Sequence, residues 1–456
     1  MKANRAALAA TAAITLAATA ACSDSGEPSA DGEIDVWIAF TDYRLDWAKD
    51  VAKSFSDAHD GYTVKVQGYD DYEPLFDSVS NASAQGNTPE IVHYFEAATQ
   101  DARDAVDQDG EKLFKSLEEA IDGREEILDE PVVLDDVVGA VQNYYTTGGE
   151  FSSMPWNTST TLFYGNESRM EAAGVDAMPE TWAEIEAACE KIMASDDAPK
   201  HCITQPNHGW FFEQSLAQQG ELLADNDNGR SGRAGEVDLT SDGAVDYLTW
   251  LQDMVDKGYL YYSGVQNDWD GPVNAFGAQE AAFLLTSSGD ATAVVDTGAE
   301  AGYGVDVARM PYNDAKEYGG NLIGGGTLWL ANGLSEKNED GALAFMQYLN
   351  NAENAASWHR TTGYIPITGE SEQLLEDEGW FDENPYHRTA NDQLALADGS
   401  PASAGALMGS FVSIREEVTQ AVEAVLTTDV DPAERLQEAQ EKSQKLLDDY
   451  NTLYTE

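Results

Sequence analysis

Hydrophobic and polar positions alternate with clear periods in the first part of the chain. Apolar and polar residues alternate over Ile34–Ala39, which predicts a strand. Further strands are predicted over Tyr62–Val66 and Pro89–Val92. Between the first two strands, apolar residues recur at helical spacing on one face: Leu45, Ala48, Val51, Ala52 and Phe55. This strand–helix–strand order predicts an α/β lobe with a largely parallel sheet.

The same alternation restarts near Phe151. Leu162–Tyr164 and Ala281–Leu285 read as buried strands, and Thr181 with Glu184 marks the start of a helix. A chain of 456 residues is too long for one core, so the fold class is predicted as α/β with two lobes, a hinge and an interlobe cleft. Residues 34–150 plus 287–345 are assigned to the N-terminal lobe and residues 151–286 plus 346–456 to the C-terminal lobe. A cleft between lobes is a preferred site for a small ligand.

The first 22 residues have the pattern of a lipoprotein signal. Lys2 and Arg5 are followed by the apolar stretch Ala7–Ala18, which is too short to span a membrane, and then by Cys22. We therefore predict a signal peptide over 1–22 that ends at an acylated Cys22. Residues 23–33 are small, polar and acidic, and are predicted to be a flexible tether on the outer face of the cell membrane.

Two further cysteines remain, Cys189 and Cys202. In an exported protein such a pair can form a disulfide that closes a short loop. Their spacing offers too few ligands for a metal site, so no metal is expected.

The charge balance excludes several partners. The chain has 83 acidic and 25 basic residues and a formal net charge of -58. Nucleic-acid binding needs a surplus of clustered cations, which is missing, and a general affinity for anionic membrane surfaces is disfavoured for the same reason. The acidic surplus is typical of a strongly hydrated surface.

No motif of a known catalytic class is present. The sequence contains no G-x-S-x-G elbow, no H-E-x-x-H pair, no phosphate-binding P-loop and no G-x-G-x-x-G after a strand. Carboxylate pairs occur by chance among 83 acids and carry no weight for a glycosidase. We expect a protein that is not an enzyme and uses no cofactor.

Three segments carry a resemblance to a known family: Met154–Thr160, Gly324–Trp329 and Trp358–Thr368. With the rest of the chain from about Ile34 to about Tyr450, they resemble the periplasmic glycerol-3-phosphate-binding proteins of ABC importers, a branch of the extracellular solute-binding proteins for sugars. The resemblance implies ligand contacts by seven residues, all of matching type: Tyr72, Glu96, Ser159, Ser287, Gly325, Tyr364 and Arg415.

The residue types suggest roles within that set. The guanidinium of Arg415 suits two phosphate oxygens, with Ser287, the Gly325 amide and Tyr364 around the others. Glu96 only accepts hydrogen bonds, so it is assigned to the glycerol hydroxyls at the opposite end, together with Tyr72 and Ser159. Gly324–Gly326 alone is ambiguous, because a tight entry into a strand would also need glycine.

One position departs from the family. Members that take glycerol-3-phosphate carry two tryptophans three residues apart; here the second is Trp210 and the first position is Asn207. The smaller Asn207 is predicted to open space for a substituent, unless the loop is shifted and the pocket is unchanged.

These features together predict the substrate-binding lipoprotein of an ABC importer. It would act as a monomer that delivers glycerol-3-phosphate, or a glycerophosphodiester such as glycerophosphocholine, to membrane permease subunits. A binding protein for neutral oligosaccharides is the alternative.

Overall fold

The computed structural model of the protein describes residues 29–454. The predicted signal peptide, its Cys22 and residues 23–28 of the predicted tether lie outside this range.

The first sheet begins with the alternating segment found in the sequence. Glu33–Ile38 buries every second residue and pairs in parallel with Thr63–Gly68 and Ile91–Phe95. Gly324–Ala331 then joins antiparallel to Ile91–Phe95, so the sheet is mixed beyond its first three strands. The order across the sheet is Thr63–Gly68, Glu33–Ile38, Ile91–Phe95, Gly324–Ala331 and Phe114–Lys115, with Met154–Ser159 also paired to Gly324–Ala331.

The second sheet is built from later segments. Its order is Leu260–Tyr261, His201–Thr204, Ala281–Ser287, Thr161–Asn166 and Val305–Arg309. Only Thr160 separates Met154–Ser159 of the first sheet from Thr161–Asn166 of the second. The chain therefore crosses between lobes within one residue, directly beside Ser159.

Helices cover both sheets. The longer ones are Tyr43–Ala58, Tyr72–Ser83, Trp182–Met193, Gly209–Gln218, Asp242–Asp256, Asp270–Gly277, Ala291–Ala301, Glu336–Leu349, Ala352–Thr362, Gly369–Asp377, Phe411–Thr427 and Pro432–Tyr454. Thr181 caps Trp182–Met193 by accepting from the Glu184 amide, as the sequence predicts.

The sheets divide the chain differently from the predicted lobe boundaries. Met154–Ser159 belongs to the first sheet and Val305–Arg309 to the second, where it fills the edge beside Thr161–Asn166. Helix Ala352–Thr362 packs on the first lobe, because Trp358 lies 4.7 Å from Trp47 between ring centroids. Edge pairing and aromatic packing are long-range contacts that a sequence pattern does not show.

A disulfide joins Cys189 and Cys202. Their Cα atoms lie 5.4 Å apart, and the bond ties helix Trp182–Met193 to strand His201–Thr204 of the second sheet. Both cysteines are fully buried.

Candidate ligand cleft

A cavity of about 400 Å³ lies between the two lobes. Eight residues that the sequence analysis singled out line it together: Tyr72, Glu96, Ser159, Trp210, Ser287, Gly325, Tyr364 and Arg415. They come from segments far apart in the chain, so the fold brings them to one place. Asn207 is not among the lining residues.

The crossing between lobes positions Gly325. Strand Met154–Ser159 pairs antiparallel with Gly324–Ala331, and the register slips between Gly325 and Thr327. Gly325 has φ +96°, and a Cβ there would lie 1.7 Å from the carbonyl oxygen of Asn157. Glycine is therefore required at this position. The tight entry into the strand and the close approach of the backbone to the cleft both depend on this residue.

Tyr364 is held against the same crossing. The amide of Ile365 donates to the carbonyl oxygen of Thr158 at 2.7 Å, and the Tyr364 ring stacks on Trp358 at 5.6 Å. The ring also lies against Gly289, where a Cβ would come within 2.8 Å of it. Burial raises the pKa of Tyr364, while nearby Arg44 opposes the rise, so the hydroxyl stays protonated and can donate.

Ser287 ends the strand opposite Thr161. Its hydroxyl oxygen accepts from the Gly289 amide at 3.0 Å, which leaves its own proton for another acceptor. Asp290 follows and also lines the cleft; burial raises its pKa, and the Thr286 hydroxyl, which donates to it at 2.9 Å, opposes that rise.

Arg44 was not singled out from the sequence, yet it lines this end of the cleft. It stands in the first turn of helix Tyr43–Ala58, and Asp42 caps that helix. The Arg44 Nη2 donates to Asp42 Oδ2 at 2.7 Å, and the guanidinium lies 4.2 Å above the Phe40 ring. Burial lowers its pKa, but Tyr364 and Asp42 outweigh burial and the net pKa is raised. The one sign of this arrangement in the sequence was an acidic helix-capping residue, Asp42, two positions before Arg44.

Tyr72 is oriented by a buried polar chain. Its hydroxyl lies 3.1 Å from His93 Nε2, which lies 2.8 Å from Asn157 Oδ1. The Ala39 amide donates to His93 Nδ1 at 3.3 Å, so the proton of the neutral ring sits on Nε2. Burial lowers the pKa of His93 to about 3, which keeps the ring neutral at physiological pH.

Glu96 and Arg415 form a direct pair at the other end of the cleft. Arg415 Nη2 donates to Glu96 Oε1 at 2.8 Å, and Arg415 Nε donates to Glu213 Oε1 at 2.6 Å. All three side chains are almost fully buried. The predicted separation of Glu96 from Arg415 is therefore wrong, because Glu213 and Glu96 share one guanidinium.

The Arg415 cluster carries an excess negative charge. Two carboxylates surround one guanidinium, and the pKa of Arg415 is raised by them although burial opposes this. Burial raises the pKa of Glu213, and its pairing with Arg415 only partly offsets the effect. An incoming phosphate would meet carboxylates here as well as the guanidinium.

Asn207 faces away from the cleft, toward helix Phe411–Thr427. Its side-chain amide donates to the Thr419 carbonyl oxygen at 3.2 Å, while its backbone carbonyl oxygen accepts from the backbone amide of Asn267 at 2.9 Å. The loop held in this way delivers Trp269 to the cleft, 6.2 Å from Trp210 between ring centroids. The cleft wall therefore has two tryptophans, and the second comes from a segment that the sequence analysis missed.

The charged groups of the lining are mostly acidic. Arg44 and Arg415 are accompanied by seven carboxylates: Asp70, Asp71, Glu73, Glu96, Asp270, Asp290 and Glu416. The arrangement provides neutral donors, Arg44 and the buried Asp290 at one end, and aromatic rings with several carboxylates at the other.

Comparison with known proteins identifies the family. The pattern of the bacterial extracellular solute-binding proteins matches residues 50–389. The chain belongs to this family. Its members are solute-binding transport proteins and not a class of enzymes, so the protein serves an ABC importer by binding a small molecule outside the cytoplasm for a permease.

Two relatives cover most of the chain. The sn-glycerol-3-phosphate-binding periplasmic protein UgpB of Pectobacterium atrosepticum is 30% identical over 404 residues, which are 87% of this chain and 87% of that protein. UgpB of Yersinia enterocolitica is 28% identical over 404 residues, which are 87% of this chain and 88% of that protein.

Solved structures share the fold. UgpB from Mycobacterium tuberculosis, in complex with glycerophosphocholine, superposes with a TM-score of 0.75 at 19% identity, covering 92% of this chain and 99% of that one. The acarbose-binding GacH receptor of Streptomyces glaucescens gives 0.71 at 19% identity, covering 92% and 100%. The predicted two-lobe α/β fold is confirmed. Within residues 29–454, no helix combines the length and apolar character needed to cross a bilayer.

Proposed function

We infer that this solute-binding protein captures a glycerophosphodiester with a cationic head group, such as glycerophosphocholine. The observation that carries this proposal is the division of the cleft into two ends. One end offers protonated hydroxyls, a close backbone approach, Arg44 and the buried Asp290; the other offers two tryptophans among several carboxylates. A zwitterion with its phosphate and its cation at opposite ends matches both.

The phosphate fits the end with Ser287, Gly325, Tyr364 and Arg44. The hydroxyls of Ser287 and Tyr364 are free to donate, and Arg44 supplies a positive charge beside them. Arg415 is less suited, because its Nε and Nη2 already bond to two carboxylates. Glu96 with Arg415 then provides acceptors and a donor for the glycerol hydroxyls.

The cationic group fits the tryptophan wall. The rings of Trp210 and Trp269 meet at 48°, which forms a corner open to the cavity. Quaternary ammonium groups are bound by such rings for about 0.5–2 kcal/mol per contact. Asp270 and Glu416 line the same cavity and add attraction for a cation.

Charge favours the diester over glycerol-3-phosphate itself. The monoester approaches a dianion near neutral pH, and seven lining carboxylates oppose it. Glycerophosphocholine carries no net charge. The names of the relatives, which bind glycerol-3-phosphate, and the solved complex with glycerophosphocholine both support a glycerophosphate class.

Delivery of the ligand to the permease then follows the usual sequence of steps for a solute-binding protein. The lobes close over the ligand, and the closed form docks on the permease as a monomer. Acylation of Cys22 would hold it at the outer face of the membrane. The tether would be shorter than the predicted 23–33, because the Gly32 amide donates to Asn338 Oδ1 at 2.8 Å and Glu33 begins the first strand.

Isothermal titration calorimetry tests the ligand class. Purified protein is titrated with glycerophosphocholine, glycerophosphoethanolamine, glycerol-3-phosphate, maltose and trehalose. We expect both diesters to bind, glycerol-3-phosphate to bind more weakly and the sugars to give no heat. Binding of a neutral sugar with no response to any glycerophosphate would refute the proposal and favour the oligosaccharide receptor, which the aromatic wall would also suit.

A further inference from the structure

A second cavity of about 1010 Å³ lies beside the ligand cleft and is separate from it. No residue lines both. Tyr144 lies between them: it lines the second cavity, and its hydroxyl donates at 3.0 Å to the backbone carbonyl oxygen of Glu96, which lines the cleft. The second cavity is walled by the segment after strand Ile91–Phe95 on one side and by residues 229–233 of the other lobe on the opposite side.

The charge of this cavity is the reverse of the protein's. Its charged lining residues are Arg103, Lys112, Arg230 and Arg233, against the single carboxylate of Asp104. The whole chain has 83 acidic and 25 basic residues, so a cavity with the average composition of this chain would have mostly acidic charged residues. Four cations around one space therefore mark a local positive field within a negative molecule.

Two of these arginines have no carboxylate partner. Across residues 29–454, every arginine except Arg103 and Arg230 has a carboxylate oxygen within 4.0 Å of its guanidinium. Arg230 donates instead to the carbonyl oxygens of Gly405, Tyr144 and Ala404, at 3.0, 2.7 and 2.7 Å, and Arg103 donates to Gln100 Oε1 at 2.9 Å. Neutral acceptors satisfy these hydrogen bonds but supply no counter-charge, so neither guanidinium has a directly paired carboxylate.

The arginines also repel one another. Burial lowers the pKa of Arg230, and so does the charge of Arg103. Burial lowers the pKa of Arg103; the charge of Asp104 opposes this effect, and the charge of Arg233 adds to it. Asp104 is the one carboxylate that lines the cavity, and Arg233, Gln100 and Tyr450 already bond to it at 2.8–3.0 Å.

We propose that this cavity is a second ligand site, for a small phosphate-type anion held by Arg103, Lys112, Arg230 and Arg233. An anion of this class would supply the missing counter-charge, and guanidinium forks match its oxygens. A small ligand suits the space, because cavities of 300–1,000 Å³ are typical of small-molecule sites. Since the cations come from both lobes, the anion would hold the lobes together. By linkage, it would then tighten binding in the cleft.

The test uses inorganic phosphate and pyrophosphate as probes in calorimetry on the purified protein. Arg103→Gln is the main variant, because Arg103 makes one side-chain hydrogen bond and its loss should spare the fold. We expect it to weaken pyrophosphate binding about tenfold or more, as for loss of a charged hydrogen bond. Lys112→Gln should have a smaller effect, since the lysine side chain is 58% exposed.

Two controls separate this site from the cleft and from general charge. Arg44→Gln removes the cation at the proposed phosphate end of the cleft and should leave pyrophosphate binding unchanged. Arg360→Gln removes a cation paired to Glu378 outside both cavities and should also leave it unchanged. Binding lost in Arg44→Gln but kept in Arg103→Gln would place the anion in the cleft and overturn the proposal.

Two further results would also overturn it. One is the absence of heat with either probe at millimolar concentration. The other is binding of an acidic peptide without binding of either probe, which would make the cavity a docking surface for a partner protein.

Discussion

Arg44→Gln distinguishes the two ends of the cleft. If the phosphate lies beside Tyr364, the substitution removes the one positive charge there while keeping a polar side chain of similar length. A hydrogen bond to a charged group contributes about 1.5–3 kcal/mol, so the dissociation constant for glycerophosphocholine should rise roughly 10- to 150-fold. The Arg44 side chain is 25% exposed and paired to Asp42, so we expect the lower half of that range.

The fold should be almost unaffected by the same change. A partly exposed ion pair contributes about 0–1 kcal/mol to stability, so thermal unfolding should hardly move. Arg360→Gln is a matched control, because the Arg360–Glu378 pair is exposed to 27% and 46% and the Arg44–Asp42 pair to 25% and 42%. Arg44→Lys should lie between wild type and Arg44→Gln, since a point charge remains but the planar fork is lost.

Calorimetry and thermal unfolding are measured side by side on the four proteins. The reasoning is refuted if Arg44→Gln binds glycerophosphocholine within twofold of wild type while remaining folded. It is also refuted if Arg360→Gln loses as much affinity, because the effect would then belong to overall charge and not to the cleft.

Four further changes test separate parts of the structure. Arg415→Gln leaves two buried carboxylates unpaired and should cost about 3–5 kcal/mol of stability in urea unfolding; an unchanged midpoint would contradict the buried cluster. Trp269→Ala should weaken glycerophosphocholine by about 0.5–2 kcal/mol in calorimetry and leave glycerol-3-phosphate unchanged; equal losses for both ligands would argue against a cation corner. Cys202→Ser removes the disulfide with Cys189 and should lower stability by about 2–4 kcal/mol relative to the oxidised wild type, whereas the reduced wild type should match the variant. Burial raises the pKa of Asp101 from 3.8 to about 6, so the folded state binds the extra proton and stability falls as pH rises through this range. Asp101→Asn should therefore raise stability above that range, by at most about 3 kcal/mol, and change little below it; a gain that is the same at every pH would contradict this.

Periodicity in the sequence predicted the lobes more accurately than it predicted their borders. The strand beginning near Ile34 and the helix capped by Thr181 depend on neighbours in sequence, and both lie where expected. The borders depend on which strand fills which edge. Val305–Arg309 returns to the second sheet because the edge beside Thr161–Asn166 is open there, a fact of three-dimensional pairing.

The residues lining the cleft were found by resemblance, but their roles were not. Seven positions of matching type converge on the cleft, although they lie on strands, helices and loops that are far apart in the chain. The role given to Arg415 assumed that its guanidinium was free. Glu213, one of 83 acids and three residues after Trp210, gave no sign that it would reach Arg415 across 202 positions of sequence. The residue type determines which groups a side chain can bind. The hydrogen-bond partners that it already has in the fold determine which of its donors and acceptors remain available to a ligand.

Asn207 shows that the residue type alone also does not determine the shape of the cleft. Loss of a tryptophan at this position predicts an emptier cleft if the rest of the wall stays fixed. In the structure the Asn207 carbonyl oxygen accepts from the Asn267 amide, and the loop it holds carries Trp269 to the cleft beside Trp210. The wall therefore contains a second indole ring, that of Trp269, but this ring comes from a different segment of the chain and is followed by Asp270. An indole face beside a carboxylate attracts a cation more than a second neutral ring would, so we expect the wall with Asn207 to favour a cationic group.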